Sequence, residues 1–543
     1  MSLPASPFHA FRRVAGRRPD QPFLIAPASA GLPYASEGFR ISYGEAAAEV
    51  ARLTAAYAAA GYGRGARVAL LLGSRPEFFF HWLALNGNGA SIMPINPDLR
   101  PEELRYQIEV ARPDLIVAAP EHAPLAAAGV PADVPRCTPD IPPPPAARPY
   151  VAAEPAPNDE CALLFTSGST GKPKGCILSN FYFINVADWY VSMPGVAAMR
   201  PDREIALTPL PFFHMNALGC TAVGMMLIGG AIVPLDRFSA RRWWASVADS
   251  GATIVHNLGV IPAILLQLPV SEAERRHAAR FNFSPGVDAQ YKLDFEKRFN
   301  LPIVEGWAMT ETGGTGVSCT AGHEVLPGRP CIGAMHPGAE WRITDDGGED
   351  VPPGVPGELW VRAAGPDPRR GFFSGYLGEP EATEAAWAGD WFHTGDIVTA
   401  DPAGLLYFVD RRKSIIRRSG ENISALEVEA VLKADPIVAR AAVTPVPDPL
   451  RGEEVFAFVV PRADVSAGNA AAAQALLGRA AERLSYHKLP GHLAFVESLP
   501  VGSTQKLLRG QLKTDAQAAL ETGAAFDLRE HKTGLRLSAM AGS

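Results

Sequence analysis

One stretch constrains this chain more than any other: Leu163-Leu164-Phe165-Thr166-Ser167-Gly168-Ser169-Thr170-Gly171-Lys172-Pro173-Lys174-Gly175. An apolar run suited to a buried strand stops in hydroxyls and glycines, then meets two lysines. Small residues let backbone amides approach phosphate oxygens, and Ser and Thr hydroxyls add donors, so the pattern suits a polyphosphate cradle. Lys172 and Lys174 add positive charge to offset a triphosphate. A Walker A loop needs Ser or Thr after its lysine; Pro173 stands there, so this is a phosphate loop of another kind. By composition alone an ordinary surface loop is an equal reading. The order of the residues, together with motifs elsewhere in the chain, has to decide.

Around this loop, strand-like and helix-like pieces alternate. An Ala-rich amphipathic segment at 43–61 precedes an apolar run at 68–72, and further short runs lie at 92–95 and 115–118. Such alternation predicts an α/β domain. Gly61-Tyr62-Gly63-Arg64-Gly65-Ala66 formally fits a dinucleotide fingerprint, but it comes after a helix and before a strand, the reverse of what that fingerprint needs. It reads as a turn. The proline-dense stretch 141–149 reads as an exposed connector. Residues 217–235 carry no charge and are about long enough to span a bilayer, but four glycines and a β-branched run before Pro234 make a buried helix passing into a strand the better reading. Residues 253–268 read as a strand and a helix opening near Pro262, 281–287 as a strand entering a tight turn, and the segment to Phe299 as a charged amphipathic helix. Beyond Gly328 the texture changes to short strands with Gly/Pro turns, which predicts a small β-rich subdomain. From Ser414 the pattern becomes that of a compact unit, with a helix at 424–434, strands at 438–443 and 454–460, and a helix at 470–484; 507–543 reads as a helix and a frayed tail.

At 543 residues the chain is long enough for two or more domains. A net charge of −7 gives no basic footprint, which argues against a nucleic-acid partner. Cys137, Cys161, Cys176, Cys220, Cys319 and Cys331 form no CxxC pair and no zinc-ligand set, and the first residues show no secretion signal. A reducing cytoplasm, free thiols and no integral membrane span are the expectations.

The phosphate-loop stretch resembles that of the adenylate-forming superfamily, which includes acyl-CoA synthetases, aryl-CoA ligases, luciferases and adenylation domains, and the remaining motifs resemble it in order. The resemblance covers essentially the whole chain. It implies a large N-terminal domain over 1–412, made of two α/β subdomains and a β-rich one, then a small mobile α+β domain over 413–543. It implies that Thr166, Ser167, Gly168, Ser169, Thr170, Gly171, Lys172 and Lys174 cradle the β- and γ-phosphates. Thr310 would contact the α-phosphate and Glu311 would hold Mg²⁺, a job that suits a hard carboxylate. Ser284, Pro285 and Gly286 match the turn lining the adenine pocket. Trp307 stands where the family usually has Tyr, and either ring can stack on adenine. Asp396 matches the residue that takes the ribose hydroxyls, with Arg411 as its partner. Lys506 matches the lysine bridging carboxylate and phosphate during adenylation; Gln505 departs from the glycine common before it. Lys413 matches the hinge about which the small domain reorients, and Ser419 and Gly420 the loop that then lines a pantetheine tunnel.

The implied activity is ATP-dependent ligation of a carboxylic acid to CoA through an acyl-adenylate, with ATP, Mg²⁺ and CoA as cofactor and co-substrates and a homodimer as a possible assembly. Phe212-Phe213-His214-Met215-Asn216 resembles the aromatic-His segment at the acyl-pocket mouth and lacks the acid with which amino-acid adenylation domains pair the substrate ammonium. The sequence is similar to the branch of crotonobetaine/carnitine-CoA ligases and short- or medium-chain acyl-CoA synthetases. Phe212, His214, Met215, Asn216, Val260, Ile261, Val287, Ala308 and Gly313 are the expected pocket walls. Ala308 replaces a glycine common in the family, which should shorten the acid, and His214 and Asn216 can hydrogen-bond a polar substituent. The alternatives are loading of a carrier-protein thiol and, from another class, a non-catalytic nucleotide-binding relic. The second predicts lost site residues, and Thr310, Glu311, Asp396, Arg411 and Lys506 are all present.

Overall fold

A computed structural model of the chain describes residues 2–541, apart from 167–172, 326–328, 412–413, 419–420, 450, 463–467, 485 and 502–506. The chain forms two compact units: the first holds Met1–Arg342, Trp360–Thr394 and Asp401–Tyr407, the second Ile343–Leu359, Gly395–Ala400 and Phe408–Ser543.

The first unit is built on two seven-stranded sheets. One runs Ile303–Val304, Phe281–Phe283, Ile254–His256, Ile205–Thr208, Ala231–Pro234, Pro22–Ala26 and Phe39–Ser42, in that spatial order. All its pairs are parallel except the last. The other runs Gly375–Tyr376, Lys174–Ser179, Glu160–Thr166, Ser91–Pro94, Arg67–Leu71, Leu115–Ala118 and Arg136–Cys137. It is antiparallel only at the end that carries the Glu160–Thr166/Lys174–Ser179 hairpin. Strands in parallel sheets are covered on both faces, and the sequence meets this with near-continuous apolar runs such as Cys161 to Leu164, all buried.

Helices such as Tyr43–Ala60, Pro76–Gly87 and Asn180–Val191 join these strands. A capping box between Ser42 and Glu45 starts the first of them, and Gly61 in the left-handed region ends it, so the fingerprint-like glycines serve a turn. A string of aromatic rings locks the helices together: Phe23 on Tyr43 at 4.8 Å, Phe79 on Phe212 at 4.8 Å, and Trp82 near Phe183 at 6.3 Å. The uncharged stretch 217–235 is core, as its glycines suggested, but not one plain helix. It is an eight-residue π-helix, Asn216–Val223, a short α-helix, Gly224–Ile228, and the strand Ala231–Pro234. No helix among the described residues is long and apolar enough to cross a membrane.

A third sheet runs Gly306–Trp307, Ser318–Cys319, Cys331–Met335, Leu406–Arg411, Trp391–Ala400, Gly357–Ala363 and Ala339–Thr344, with Trp387–Ala388 added beside Trp391–Ala400.

In the second unit a six-stranded sheet carries Ile415–Arg418, Glu421–Ser424, Val438–Asp448, Gly452–Pro461, His492–Phe495 and Phe526–Asp527. Helices Ala425–Lys433 and Ala470–Ala481 bury Val428, Leu432, Leu476 and Leu477 with Val443, Val455 and Val459 of the sheet. The expected frayed tail is a correction. Phe526–Asp527 pairs with His492–Phe495, and the helix Arg529–Ala541 sends Lys532 inward to Glu454 at 3.0 Å. A partner at long sequence distance orders what local composition leaves loose.

Candidate active site

Thr166 and Lys174 face each other at one end of the Glu160–Thr166/Lys174–Ser179 pair, with Phe165 opposite Gly175. Of the expected cradle, Thr166 and Lys174 are described; Ser167, Gly168, Ser169, Thr170, Gly171 and Lys172 lie outside the described residues. The Thr166 hydroxyl lies 3.8 Å from the buried Cys176 thiol. Lys174 Nζ is 3.3 Å from a Glu379 carboxylate oxygen and 4.7 Å above the ring of Tyr376.

The second element of the site is the turn after the strand Gly306–Trp307. Trp307 is buried, Ala308 and Thr310 are half-buried, and Glu311 is buried at 7% exposure. Met309 N–H donates to Thr312 Oγ1 at 3.0 Å, which tightens the turn. Tyr182 donates to the Thr310 carbonyl at 2.7 Å, and Phe373 N–H to the Glu311 carbonyl at 2.9 Å. Tyr376 donates its hydroxyl hydrogen to Glu311 Oε1 at 2.9 Å. Gly313 lies in the left-handed region, and a Cβ there would come within 2.5 Å of the Gly371 carbonyl and 2.7 Å of the Tyr182 ring. Protein atoms therefore already fill the space beside this expected pocket wall.

Segment 371–379 ties the two elements together. Gly375–Tyr376 pairs with Cys176 and Ile177, and Ser374 and Leu377 N–H groups donate to the Ile177 and Gly175 carbonyls. Sequence reasoning missed Tyr376 and Glu379; the only signal was the run Gly375-Tyr376-Leu377-Gly378, which reads as a loop.

The Ser284-Pro285-Gly286 turn extends the strand Phe281–Phe283. Ser284 donates to the Asn257 side-chain carbonyl, Gly259 N–H donates to the Pro285 carbonyl at 3.2 Å, and Gly286 takes a left-handed φ of 72°. Ile261 and Val287 share one packed apolar cluster with Leu265 and Phe295; the Val260 side chain lies outside the described ones. Val304 lies opposite Phe283 in the sheet register, and the next residue, Glu305, is 4% exposed with Lys292 Nζ at 3.5 Å. Burial pushes its carboxyl up to about 7, against the pull of Lys292.

The aromatic-His segment anchors Phe212 among the buried rings and sets the Phe213 and His214 rings 4.6 Å apart, tilted by 60°. Met215 and Asn216 are half-buried where the π-helix begins. Asn216 Oδ1 is buried and meets no hydrogen-bond donor among the described residues. Further along the π-helix, Thr221 Oγ1 lies 2.9 Å from one ring nitrogen of His256, whose other nitrogen is 2.5 Å from Tyr190 Oη. Burial lowers this imidazole to about 3, so it is neutral and its network is a hydrogen-bonded one. π-Turns concentrate at functional sites, and this one starts at the expected pocket mouth.

The second unit carries Asp396 and Arg411, with Arg411 Nε 3.1 Å from Asp396 Oδ1. Asp396 is 2% exposed at its side chain, whereas Arg411 is 61% exposed. Gly395 turns the strand before Asp396, its N–H donating to Glu358 at 3.0 Å. Lys413, Ser419, Gly420 and Lys506 lie outside the described residues.

Among the described residues no three His, Cys, Asp or Glu side chains gather as a metal cage. A single buried carboxylate held by hydrogen bonds fits a hard, largely hydrated cation that draws its other ligands from phosphate and water. Glu311 meets that description.

A family model described as AMP-binding enzyme matches residues 11–377, and one described as AMP-binding enzyme C-terminal domain matches 427–506. The chain belongs to the AMP-binding enzymes. Among curated relatives of this AMP-binding enzyme, a crotonobetaine/carnitine–CoA ligase of Proteus mirabilis is 30% identical over 87% of this chain and 93% of its own length. A sulfoacetate–CoA ligase of Cupriavidus necator is 30% identical over 92% of this chain and 96% of its own length. A solved benzoate CoA ligase from Burkholderia xenovorans has the same fold, with a TM-score of 0.79 and 22% identity over 94% of this chain and 99% of that one.

Proposed function

We propose that this AMP-binding enzyme joins a small or medium, polar-substituted carboxylic acid to CoA in two steps. A carboxylate oxygen attacks the α-phosphorus of ATP, forming the acyl–phosphate bond of an adenylate as the α–β bridge breaks and pyrophosphate leaves. The CoA sulfur, having given up its proton, then attacks the acyl carbon, and AMP leaves with the bonding pair. The observation that carries this reading is the clasp between the phosphate hairpin and Glu311: hydrogen bonds from segment 371–379 run to both. Curated relatives that match nearly the whole chain carry names of acid–CoA ligases.

Each residue has a job that its chemistry suits. The 166–174 loop holds the triphosphate, Trp307 and the Ser284-Pro285-Gly286 turn hold adenine, and Asp396 holds the ribose with Arg411 beside it. Glu311 holds Mg²⁺, which neutralises phosphate charge when bound. Thr310 donates to the α-phosphate, and Lys506 offsets the charge of the approaching carboxylate. The N-terminal domain extends to 412, Lys413 is the pivot, and Ser419 and Gly420 line the path of the thiol.

Asn216 Oδ1, which meets no donor among the described residues, and the absence of an acid in Phe212-Phe213-His214-Met215-Asn216 favour an acid with a polar, non-ammonium substituent. A buried acceptor without a donor is costly, and a substrate donor removes that cost. Incubating the protein with MgATP, CoA and a panel of acetate, medium-chain, aryl, dicarboxylic, sulfonated and betaine acids, read by mass spectrometry, tests this. Acyl-CoA and AMP from the short polar acids are expected. Hydroxylamine-trapped adenylate with no CoA ester would move the acceptor to a carrier-protein thiol, and preference for long unsubstituted chains would overturn the substrate class.

A further inference from the structure

We propose that Tyr376 is a positioning residue for the cation–triphosphate site, fixing the Glu311 carboxylate through its hydroxyl; this rests on the nucleotide reading above. Three contacts made by Tyr376, and one made beside it, hold this arrangement. Its O–H donates to Glu311 Oε1 at 2.9 Å, and the adjoining Phe373 N–H holds the Glu311 backbone at 2.9 Å. Its own N–H is taken by Thr383 Oγ1 at 2.9 Å, which fixes the strand that carries it. Its ring lies 4.7 Å below Lys174 Nζ, so one aromatic side chain touches both the acidic and the basic member of the site. Cys176, paired with Tyr376 across the strands, adds a thiol neighbour to Glu311.

A carboxylate that must bind a metal gains from a partner that sets its orientation beforehand, and losing such a partner typically costs about 10- to 100-fold in metal affinity or activity. Tyrosine suits the job because it remains a donor. Its hydroxyl brings a hydrogen to the carboxylate without bringing a charge. Lysine in its place would add a charge that competes with the cation.

The test compares wild type with Tyr376→Phe as the full chain, since Phe keeps the ring under Lys174 and loses only the hydroxyl. Binding of Mn²⁺ with a non-hydrolysable ATP analogue, monitored by electron paramagnetic resonance, needs neither acid nor CoA. An affinity loss of about 10-fold or more is expected, with the melting temperature nearly unchanged and the Mg²⁺ requirement of pyrophosphate exchange shifted upward to match. Placing 4-aminophenylalanine at 376 returns an N–H donor and should recover most of the affinity, which also decides the matter if Tyr376→Phe folds poorly. Equal Mn²⁺–nucleotide affinity in wild type and Tyr376→Phe, or no recovery with the amino analogue, overturns the proposal and leaves the ligase reading standing. A wild-type chain that binds no Mn²⁺–nucleotide overturns both.

Discussion

Glu305 stands one residue from the strand carrying Trp307 and is a carboxyl held nearly out of water. Its ordinary value of 4.5 is raised to about 7, burial outweighing Lys292, while Glu296 adds repulsion. Between those values the folded chain keeps a proton that the unfolded chain has lost. Stability from this group is therefore full below pH 4.5, falls as pH rises to about 7, and is flat beyond. Glu305→Gln should gain on wild type across that window, by up to ~3 kcal/mol from the shift alone. Melting curves at pH 4.5, 6 and 7.5 check it, and an offset that does not grow with pH sinks the assignment. At this scale the sequence was partly legible. Glu311 and Asp396 stand in recognisable motifs, whereas Tyr376 is a solitary phenol in a glycine-rich run whose worth comes from a strand pairing that no local pattern announces.

Among elements, the π-helix Asn216–Val223 departs most from local expectation. An apolar, uncharged run says core, but nothing in its composition says that the backbone widens. The reason is tertiary: Thr221 must reach His256 on a neighbouring strand, and Tyr190 fixes that imidazole from the other side. Thr221→Val removes one hydroxyl at nearly constant volume and leaves an imidazole nitrogen without its partner. Denaturant unfolding should then show a loss of about 1–3 kcal/mol, because the stranded group keeps its full desolvation cost. Since the same helix opens with Asn216, the KM for the acid should rise several-fold while that for ATP stays put. A change in both alike would assign the network to stability alone. The flanking strands and helices were legible from periodicity, most to within a few residues; the π register was not.

For the whole molecule, the α/β character and the compact C-terminal sheet were readable from alternating apolar runs, but the closing of the second unit was not. Its centre is Glu454, 1% exposed, paired with Arg418 at 2.9 Å and Lys532 at 3.0 Å. Both cations lie near the Tyr486 ring, and Lys532 also donates to the Leu489 carbonyl at 2.5 Å. Removing Glu454 strands two buried cations, a change costing about 3–5 kcal/mol. Removing Lys532 leaves Arg418 to balance Glu454 and should cost clearly less. Urea unfolding of Glu454→Leu and Lys532→Met therefore has a required order, and the reverse order would mean that the lysine, not the glutamate, is the keystone. The geometry also sets a timetable. The helix bearing Lys532 is translated after every strand it braces, and the unit's earlier pieces, 343–359 and 395–400, leave the ribosome long before it. Newborn chains thus keep the Arg418–Glu454 pair uncovered until the helix arrives, and a stop codon between Tyr407 and Lys532 yields a protein whose first unit is complete and whose second cannot close.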